Sequence, residues 1–128
     1  MSGKCVVDTS VIIQLFRADE YAIKLFHEAG SIYIPVIVVG ELFYGAEKST
    51  RKQENMSIIA NFLAQYEVIE VGLPVAQAYG EIKAQLRRDR QPIPENDLWI
   101  AATAKAYQYA IITFDVHFST IGGLQIIN

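Results

Sequence analysis

The fold class is indicated first by the stretch Lys4–Ser10, which reads KCVVDTS. Its opening residues are mainly apolar and β-branched, as in a buried strand, and its last three are of the types that cap helices. Apolar residues then recur at helical spacing up to Phe16. A buried strand that runs directly into a helix is the first half of a βαβ unit, so this stretch predicts an α/β protein.

The same alternation continues along the rest of the chain. Further strands are predicted at Ile32–Ile34, Val68–Val71, Ala110–Thr113 and Leu124–Ile127, and helices at Ser10–Phe16, Asp19–Ala29, Val36–Ala46, Arg51–Tyr66, Pro74–Arg88 and Glu95–Tyr107. Strands that alternate with helices imply a mostly parallel sheet covered by helices on both faces. Because 128 residues suit one compact domain, we expect a single α/β domain over residues 1–128, with about five strands in its sheet.

The composition favours a globular protein of the cytoplasm. Hydrophobic residues make up 52% of the chain and charged residues 20%, which excludes the profile of a disordered protein. No apolar run approaches the roughly 20 residues that span a bilayer, and Met1–Lys4 leads into an apolar run too short for the core of a signal peptide. The single cysteine, Cys5, cannot form an internal disulfide and is expected in the buried first strand.

The net charge of −3 argues against a nucleic-acid binder, since phosphate contacts are made mostly by Lys and Arg. The objection loses its force if the acidic residues are concentrated in a metal site and the basic residues lie elsewhere. The densest basic group comprises Lys83, Arg87, Arg88 and Arg90. Two interpretations of this group are open, namely phosphate binding and a solvated helix end favoured by the helix dipole.

Four acidic residues are candidates for a functional site, because ligands of parallel α/β sheets bind beyond the carboxyl ends of the strands. Asp8 follows the first strand and Asp115 follows the fourth. Asp97 opens a helix, and Glu41 lies in the apolar helix after the second strand. Taken singly, the three aspartates have ordinary explanations as a helix cap, a turn residue and a first-turn acid. Glu41 is equally consistent with a buried ion pair, with an exposed helix edge or with a function.

Taken together, the four carboxylates predict a divalent metal site. Carboxylates that converge at one sheet edge repel one another unless cations compensate them. Ligands that are all oxygen favour Mg²⁺ or Mn²⁺ over Zn²⁺, and the chain has no cluster of Cys and His. His27 and His117 are far apart in sequence, so each is expected at the surface or beside the site rather than on the metal.

Five motifs of the sequence resemble those of PIN-domain nucleases, and in particular those of VapC-type toxins. They are Val6–Ser10; Ile34–Pro35 with Gly40–Gly45; Arg87–Arg90 with Ile93–Pro94, Asn96–Asp97 and Ile100–Ala104; Thr113–Asp115 with Phe118; and Gly123–Ile126. The motifs extend over nearly the whole chain, and the third is the most specific. One departure is that Asp89 stands where these toxins usually have a glycine after the paired arginines.

The resemblance implies a metal-dependent endoribonuclease that is the toxin of a toxin–antitoxin pair, with Mg²⁺ or Mn²⁺ as its cofactor. The residues that it assigns to the catalytic, metal-binding cluster are Asp8, Glu41, Asp97 and Asp115, with Ser10, Thr113 and Asn96 holding carboxylates or water around them. In that class of enzyme the metal activates a water for in-line attack on the phosphodiester. The resemblance also implies an RNA substrate, a small antitoxin protein as partner, and a homodimer.

Three other interpretations compete with this one. A degenerate PIN fold that binds RNA or protein without cutting is disfavoured, because all four acids are present. A phosphoryl-transfer domain with Asp8 as nucleophile would resemble the haloacid dehalogenase family, but that family's second aspartate, two positions on, is Ser10 here. A dinucleotide-binding domain is disfavoured because no glycine-rich turn follows the first strand.

Overall fold

A five-stranded parallel sheet forms the centre of the computed structural model, which describes residues 3–128. In the order in which they lie across the sheet, its strands are β3 (Glu67–Ile69), β2 (Ser31–Pro35), β1 (Lys4–Val7), β4 (Ala110–Ile112) and β5 (Ile126–Ile127). Every neighbouring pair is parallel. The strand order reverses at β1, because the chain adds β2 and β3 on one side of it and returns to add β4 and β5 on the other.

Six α-helices flank the sheet within residues 3–128. They are α1 (Thr9–Phe16), α2 (Glu20–Glu28), α3 (Val36–Glu47), α4 (Lys52–Leu63), α5 (Leu73–Arg88) and α6 (Glu95–Tyr107). A short 3-10 helix (Val116–Thr120) follows β4. The consecutive β1 residues Cys5, Val6 and Val7 are all buried. Since successive side chains of a strand point to opposite faces, both faces of the sheet are covered.

The core lies between the sheet and these helices. Val6, Ile34 and Ile111 of the strands are fully buried, as are Ile82 of α5 and Ile100 of α6. Burial of one such side chain contributes about 1.5–3 kcal/mol. A core packed in this way holds the carboxyl ends of the central strands in fixed positions, as a site built on those ends requires.

The predicted fold class, a mostly parallel sheet of about five strands flanked by helices, is confirmed. The predicted bounds of the third strand, Val68–Val71, are wrong by one residue at its start and two at its end. The reason is the pairing with β2, in which Glu67 lies opposite Tyr33 and Ile69 lies opposite Pro35. Because β2 ends at that proline, β3 has no partner beyond Ile69.

Other bounds also differ from the prediction. The helix predicted over Arg51–Tyr66 is confined to α4. Beyond it, the N–H groups of residues 65 and 66 donate to carbonyls three residues back, so the α-helical pattern of four-residue steps stops. β4 and β5 are shorter than the predicted Ala110–Thr113 and Leu124–Ile127.

The end of α5 contains Asp89, which stands where VapC-type toxins usually have a glycine. Asp89 is right-handed, with φ −82°, whereas Arg90 is left-handed, with φ +56°. Gln91 N–H donates to Leu86 O (2.9 Å) and Arg90 N–H donates to Arg87 O (3.2 Å), the pattern of a helix that ends on a left-handed residue. The position that favours glycine is therefore Arg90, and an arginine there costs about 1 kcal/mol.

Residues 1 and 2 lie outside the described residues. The expectations for Met1–Lys4 and for a domain over residues 1–128 therefore fall partly outside them as well. Within residues 3–128, no helix combines the length and the apolar character needed to cross a bilayer. Cys5 is buried in β1, as expected.

Candidate active site

Asp8 lies at the carboxyl end of the central strand, β1. Its N–H donates to Ile112 O (2.9 Å), which continues the pairing of β1 with β4. Its Oδ1 accepts a hydrogen bond from Thr9 N–H (2.8 Å), so Asp8 caps α1. Its Oδ2 accepts hydrogen bonds from the hydroxyls of Ser10 (3.1 Å) and Thr113 (2.9 Å). Asp8 is only 5% exposed and combines a helix cap with a place in the candidate site.

Thr113 connects Asp8 to Asp115. Its side chain is 1% exposed, and its Oγ1 both donates to Asp8 Oδ2 (2.9 Å) and accepts from Asp115 N–H (2.9 Å). The contact is possible because β4 lies beside β1 in the sheet. One buried hydroxyl therefore fixes the relative positions of two acidic residues that are far apart in sequence.

Glu41 reaches the same site from α3. Its Oε1 accepts a hydrogen bond from Thr9 Oγ1 (2.5 Å), and its Oε2 accepts one from Asn96 Nδ2 (3.3 Å). Thr9 begins α1 and Asn96 lies in the first turn of α6, so Glu41 is held between two helix N-termini. It is half-buried and, within residues 3–128, forms no ion pair, so the interpretation of Glu41 as a buried ion pair is wrong.

Asp97 lies in the first turn of α6, and the other three acids affect its pKa. Burial raises its pKa to about 6, and the negative charges of Asp8, Asp115 and Glu41 act in the same direction, while His117 opposes them. Burial also raises the pKa of Asp8, although the hydrogen bonds to its carboxylate oppose that shift. Mutual repulsion of this kind requires that the four carboxylates lie close together.

A cavity of about 400 Å³ joins the four carboxylates at this edge of the sheet. Its lining consists of Asp8, Thr9, Ser10, Ile13, Glu41, Asp97, Phe114 and Asp115. The four predicted acids thus meet, with Ser10, Thr113 and Asn96 hydrogen-bonded to two of them. None of the described lining residues is basic, so the negative charge of the cavity is left for a divalent cation to compensate.

His117 lies beside the acids, which is one of the two positions that the sequence analysis allows for it. A nitrogen of its ring and carboxylate oxygens of Asp97 and Asp115 all lie within 4.8 Å of one another. Its Nδ1 is 3.1 Å from Asp115 Oδ1. The signal available in the sequence was the spacing of two residues from Asp115 in the segment after β4. His27, by contrast, is exposed on α2.

Three of the four predicted basic residues lie around a second cavity, of about 290 Å³. Its lining consists of Lys83, Leu86, Arg87, Arg90, Pro92, Ile93, Glu95 and Leu98. Lys83 Nζ is 3.3 Å from Glu95 Oε2, so part of its charge is compensated. Arg88 follows Arg87 on α5 and points to a different side of the helix, outside this lining.

The fold and the acidic site agree with the family that the sequence motifs resemble. The PIN domain pattern matches residues 5–124, and the chain belongs to the PIN-domain family. The chain is similar to Ribonuclease VapC2 of Haemophilus influenzae, with 34% identity over 105 residues and 80% of each chain covered. The predicted resemblance to VapC-type ribonucleases is thereby confirmed.

Two solved structures extend this similarity to three dimensions. VapBC2 from Rickettsia felis, bound to a DNA fragment from its promoter, matches with a TM-score of 0.89 and 29% identity, over 98% of both chains. VapBC-5 from Mycobacterium tuberculosis, a member of the VapBC family of toxin–antitoxin systems, matches with a TM-score of 0.80 and 26% identity, over 98% of both chains. Nucleases of the PIN family generally depend on a divalent metal, and the acidic cluster offers ligands for one.

Proposed function

We propose that this chain is a metal-dependent endoribonuclease that hydrolyses RNA phosphodiester bonds, and that it is the toxin of a type II toxin–antitoxin system. The observation that carries the proposal is the convergence of Asp8, Glu41, Asp97 and Asp115 on one cavity. The similarity to Ribonuclease VapC2 supports RNA as the substrate. In this proposal residues 1–128 act as one PIN domain in the cytoplasm.

The residues of the site fit a divalent cation. Burial and then the negative charges of Asp8, Asp115 and Glu41 raise the pKa of Asp97 to about 6, and a bound cation would relieve the repulsion between these charges. Asp8, Glu41, Asp97 and Asp115 would hold Mg²⁺ or Mn²⁺ through oxygen ligands. Such an ion supplies Lewis acidity and makes a water molecule more acidic, so that the water can attack phosphorus.

Four side chains orient two of these carboxylates. Thr9 and Asn96 donate to opposite oxygens of Glu41, and the hydroxyls of Ser10 and Thr113 donate to one oxygen of Asp8. A carboxylate has about four lone-pair sites, so both keep acceptor capacity for a cation. Because their directions are already fixed, little reorganisation is needed when substrate arrives.

The basic group would hold RNA phosphates next to the acids. Lys83, Arg87 and Arg90 share the lining of one cavity, and the loop after α5 leads directly into the first turn of α6, which carries Asp97. Arg88 adds to the positive potential of the same helix end. Arg90 has a left-handed backbone conformation that glycine would adopt with less strain. Contact of its side chain with an RNA phosphate would explain why an arginine stands there.

The antitoxin would dock beside Glu41, in a groove between α1, α3 and α4. A cavity of about 370 Å³ in this region is lined by the apolar side chains of Ile13, Phe16 and Ile58 and also by Glu41. An apolar segment of a partner would bury these exposed side chains and close the approach to the acids. The similarity to VapBC-5, a toxin–antitoxin system, supports this partner.

A homodimer is part of the same proposal. Large apolar side chains remain at the surface of the single chain, with Leu73 83% exposed and Tyr44 66% exposed. A symmetric interface is the usual way to bury such side chains. Light scattering on the purified protein should give twice the mass of the chain, and the mass of one chain at every concentration would contradict the dimer.

The activity is tested by incubating total RNA with the purified protein in Mg²⁺, in Mn²⁺ and in chelator. Asp8→Asn and Asp97→Asn should each abolish cleavage, because each removes one carboxylate from the cluster. Asp19→Asn is the matched control, since Asp19 caps α2 by accepting a hydrogen bond from Ala22 N–H and does not line the cavity.

Metal-dependent cleavage that persists only in the wild type and in the control would support the proposal. Cleavage that survives both site substitutions would indicate a contaminating nuclease. If the wild type cuts nothing, a PIN fold that binds RNA or protein without cleaving it is favoured. A phosphate covalently bound to Asp8 would indicate phosphoryl transfer instead.

A further inference from the structure

His117 extends the acidic cluster with a nitrogen donor. It lies in the 3-10 helix that follows β4, two residues after Asp115. Its backbone N–H donates to Asp115 Oδ1 (2.9 Å), and its ring Nδ1 is 3.1 Å from the same oxygen. His117 thus contacts Asp115 once through its backbone and once through its ring, while its side chain remains 59% exposed.

The distances suit a shared ion. Donor atoms of His117, Asp97 and Asp115 all lie within 4.8 Å of one another. Nitrogen and carboxylate ligands bind a divalent transition ion at about 2.0–2.2 Å, so two ligands of one ion are separated by at most about 4.4 Å. Small side-chain rotations would bring any separation above that limit within it, and the exposed ring leaves a path for the ion to enter.

We propose that His117 is a ligand of a divalent cation that Asp97 and Asp115 also bind, and that this nitrogen donor makes the position selective for Mn²⁺ over Mg²⁺. Mg²⁺ binds through oxygen ligands and water, whereas imidazole is a ligand of first-row transition ions. The inference rests on the proposed function only in placing the ion in the same acidic site. It assigns to His117 a role as ligand, whereas the sequence favoured a place at the surface or beside the site.

The alternative is that His117 only pairs with Asp115 through its charge when protonated. A charge pair of this kind places no nitrogen on the metal and would leave the choice between Mn²⁺ and Mg²⁺ unaffected. The two interpretations therefore differ in a spectroscopic property of the bound ion.

The experiment compares wild-type protein with His117→Ala and with His27→Ala. His27 is the only other histidine of the sequence and lies exposed on α2, so its variant is a matched control. Mn²⁺ and Mg²⁺ affinities are measured by calorimetry. Pulsed electron paramagnetic resonance on the Mn²⁺-loaded protein then detects a directly bound imidazole nitrogen, which ¹⁵N-labelled histidine assigns.

We expect His117→Ala to weaken Mn²⁺ binding by about tenfold or more and to leave Mg²⁺ binding within about twofold of the wild type, on the scale of losses measured for groups around metal sites. The nitrogen signal should be present in the wild type and in His27→Ala and absent in His117→Ala. Absence of the signal from the wild type, absence of Mn²⁺ binding, or equal weakening of both ions would overturn the inference.

Two controls separate this inference from the proposed function. Circular dichroism verifies that His117→Ala is folded, as expected for an exposed side chain. RNA cleavage by the wild type is measured in parallel. Metal-dependent cleavage without a nitrogen signal would refute His117 as a ligand and support the nuclease. A nitrogen signal without cleavage would refute the nuclease and support His117 as a ligand.

Discussion

Replacement of Asp97 by asparagine should stabilise the metal-free protein above pH 6 and destabilise it relative to the wild type when metal is bound. The pKa of Asp97 is raised from 3.8 to about 6, first by burial and then by three neighbouring carboxylates. The folded protein therefore binds this proton more tightly than the unfolded chain. The stabilisation that the proton provides is complete below about pH 4 and is lost as the pH rises through about 6.

The size of the effect follows from the pKa. A shift from 3.8 to about 6 corresponds to at most about 3 kcal/mol of unfolding free energy. Asp97 is only half-buried, so screening by solvent reduces this to about 1–2 kcal/mol. Loss of an acid from the first turn of α6 lowers the unfolding free energy by about 0.3–1 kcal/mol, because the acid interacts favourably with the helix dipole. The net gain of up to about 1.7 kcal/mol should raise the Tm of a chain of this length by up to about 7 °C.

The assay is thermal unfolding in chelator from about pH 4 to pH 8, followed by the same series in saturating Mg²⁺ or Mn²⁺. The advantage of Asp97→Asn should be largest at high pH and should vanish near pH 4. At a metal concentration about 100 times Kd the wild type gains about 2.7 kcal/mol, which the variant should largely lack, so the order of stability reverses.

Asp19→Asn is the control, because asparagine keeps the cap of α2 while the charge at that helix N-terminus is lost. Its Tm should differ little from the wild type and should not respond to metal. A variant at position 97 that is less stable than the wild type at every pH in chelator would refute the reasoning, since it would show that the carboxylates around Asp97 do not repel it.

Three other substitutions test the neighbours of the carboxylates. Thr9→Val removes the hydroxyl that donates to Glu41 and should lower RNA cleavage by about tenfold at limiting metal, whereas an unchanged rate would exclude a positioning role. Thr113→Val keeps the shape of a buried side chain but loses its hydrogen bonds to Asp8 and Asp115, so urea unfolding should show a loss of about 1–3 kcal/mol that Thr113→Ser largely restores. Arg90→Gly should raise the unfolding free energy by about 0.5–1 kcal/mol while weakening RNA binding at low salt, and a less stable variant would show that the left-handed arginine is unstrained.

The sequence predicts the acidic cluster because the central strands stand out as short apolar runs, even where their last residue is missed by one. Asp8 and Asp115 each follow a run of buried β-branched residues, and parallel strands end at a common edge. Asp97 is marked by the helix that it opens. Glu41 depended on its improbable place in an apolar helix and on the family resemblance, since nothing in its spacing indicates the distance to the other acids.

Three features of the structure were not predicted from the sequence. They depend on the directions of side chains and on helix ends that are located to the single residue. The hydrogen bond from Thr9 to Glu41 joins two helices whose packing the pattern does not specify. The approach of His117 to the acids depends on the tight 3-10 helix after β4, which has no periodic signature. The left-handed conformation of Arg90 at the end of α5 was not predicted, because the pattern locates a helix end only to within one or two residues.

During synthesis of the chain there is a long interval in which the candidate site is incomplete. β1 leaves the ribosome first, but Thr113, the partner of Asp8, follows 105 positions later, and Asp115 comes after it. At translation rates of about 5–20 residues per second, this interval lasts about 5–20 s. The four acids and Thr113 therefore come together only when nearly all of the domain has been synthesised, and under the proposed function a nascent chain would lack a complete site throughout that interval.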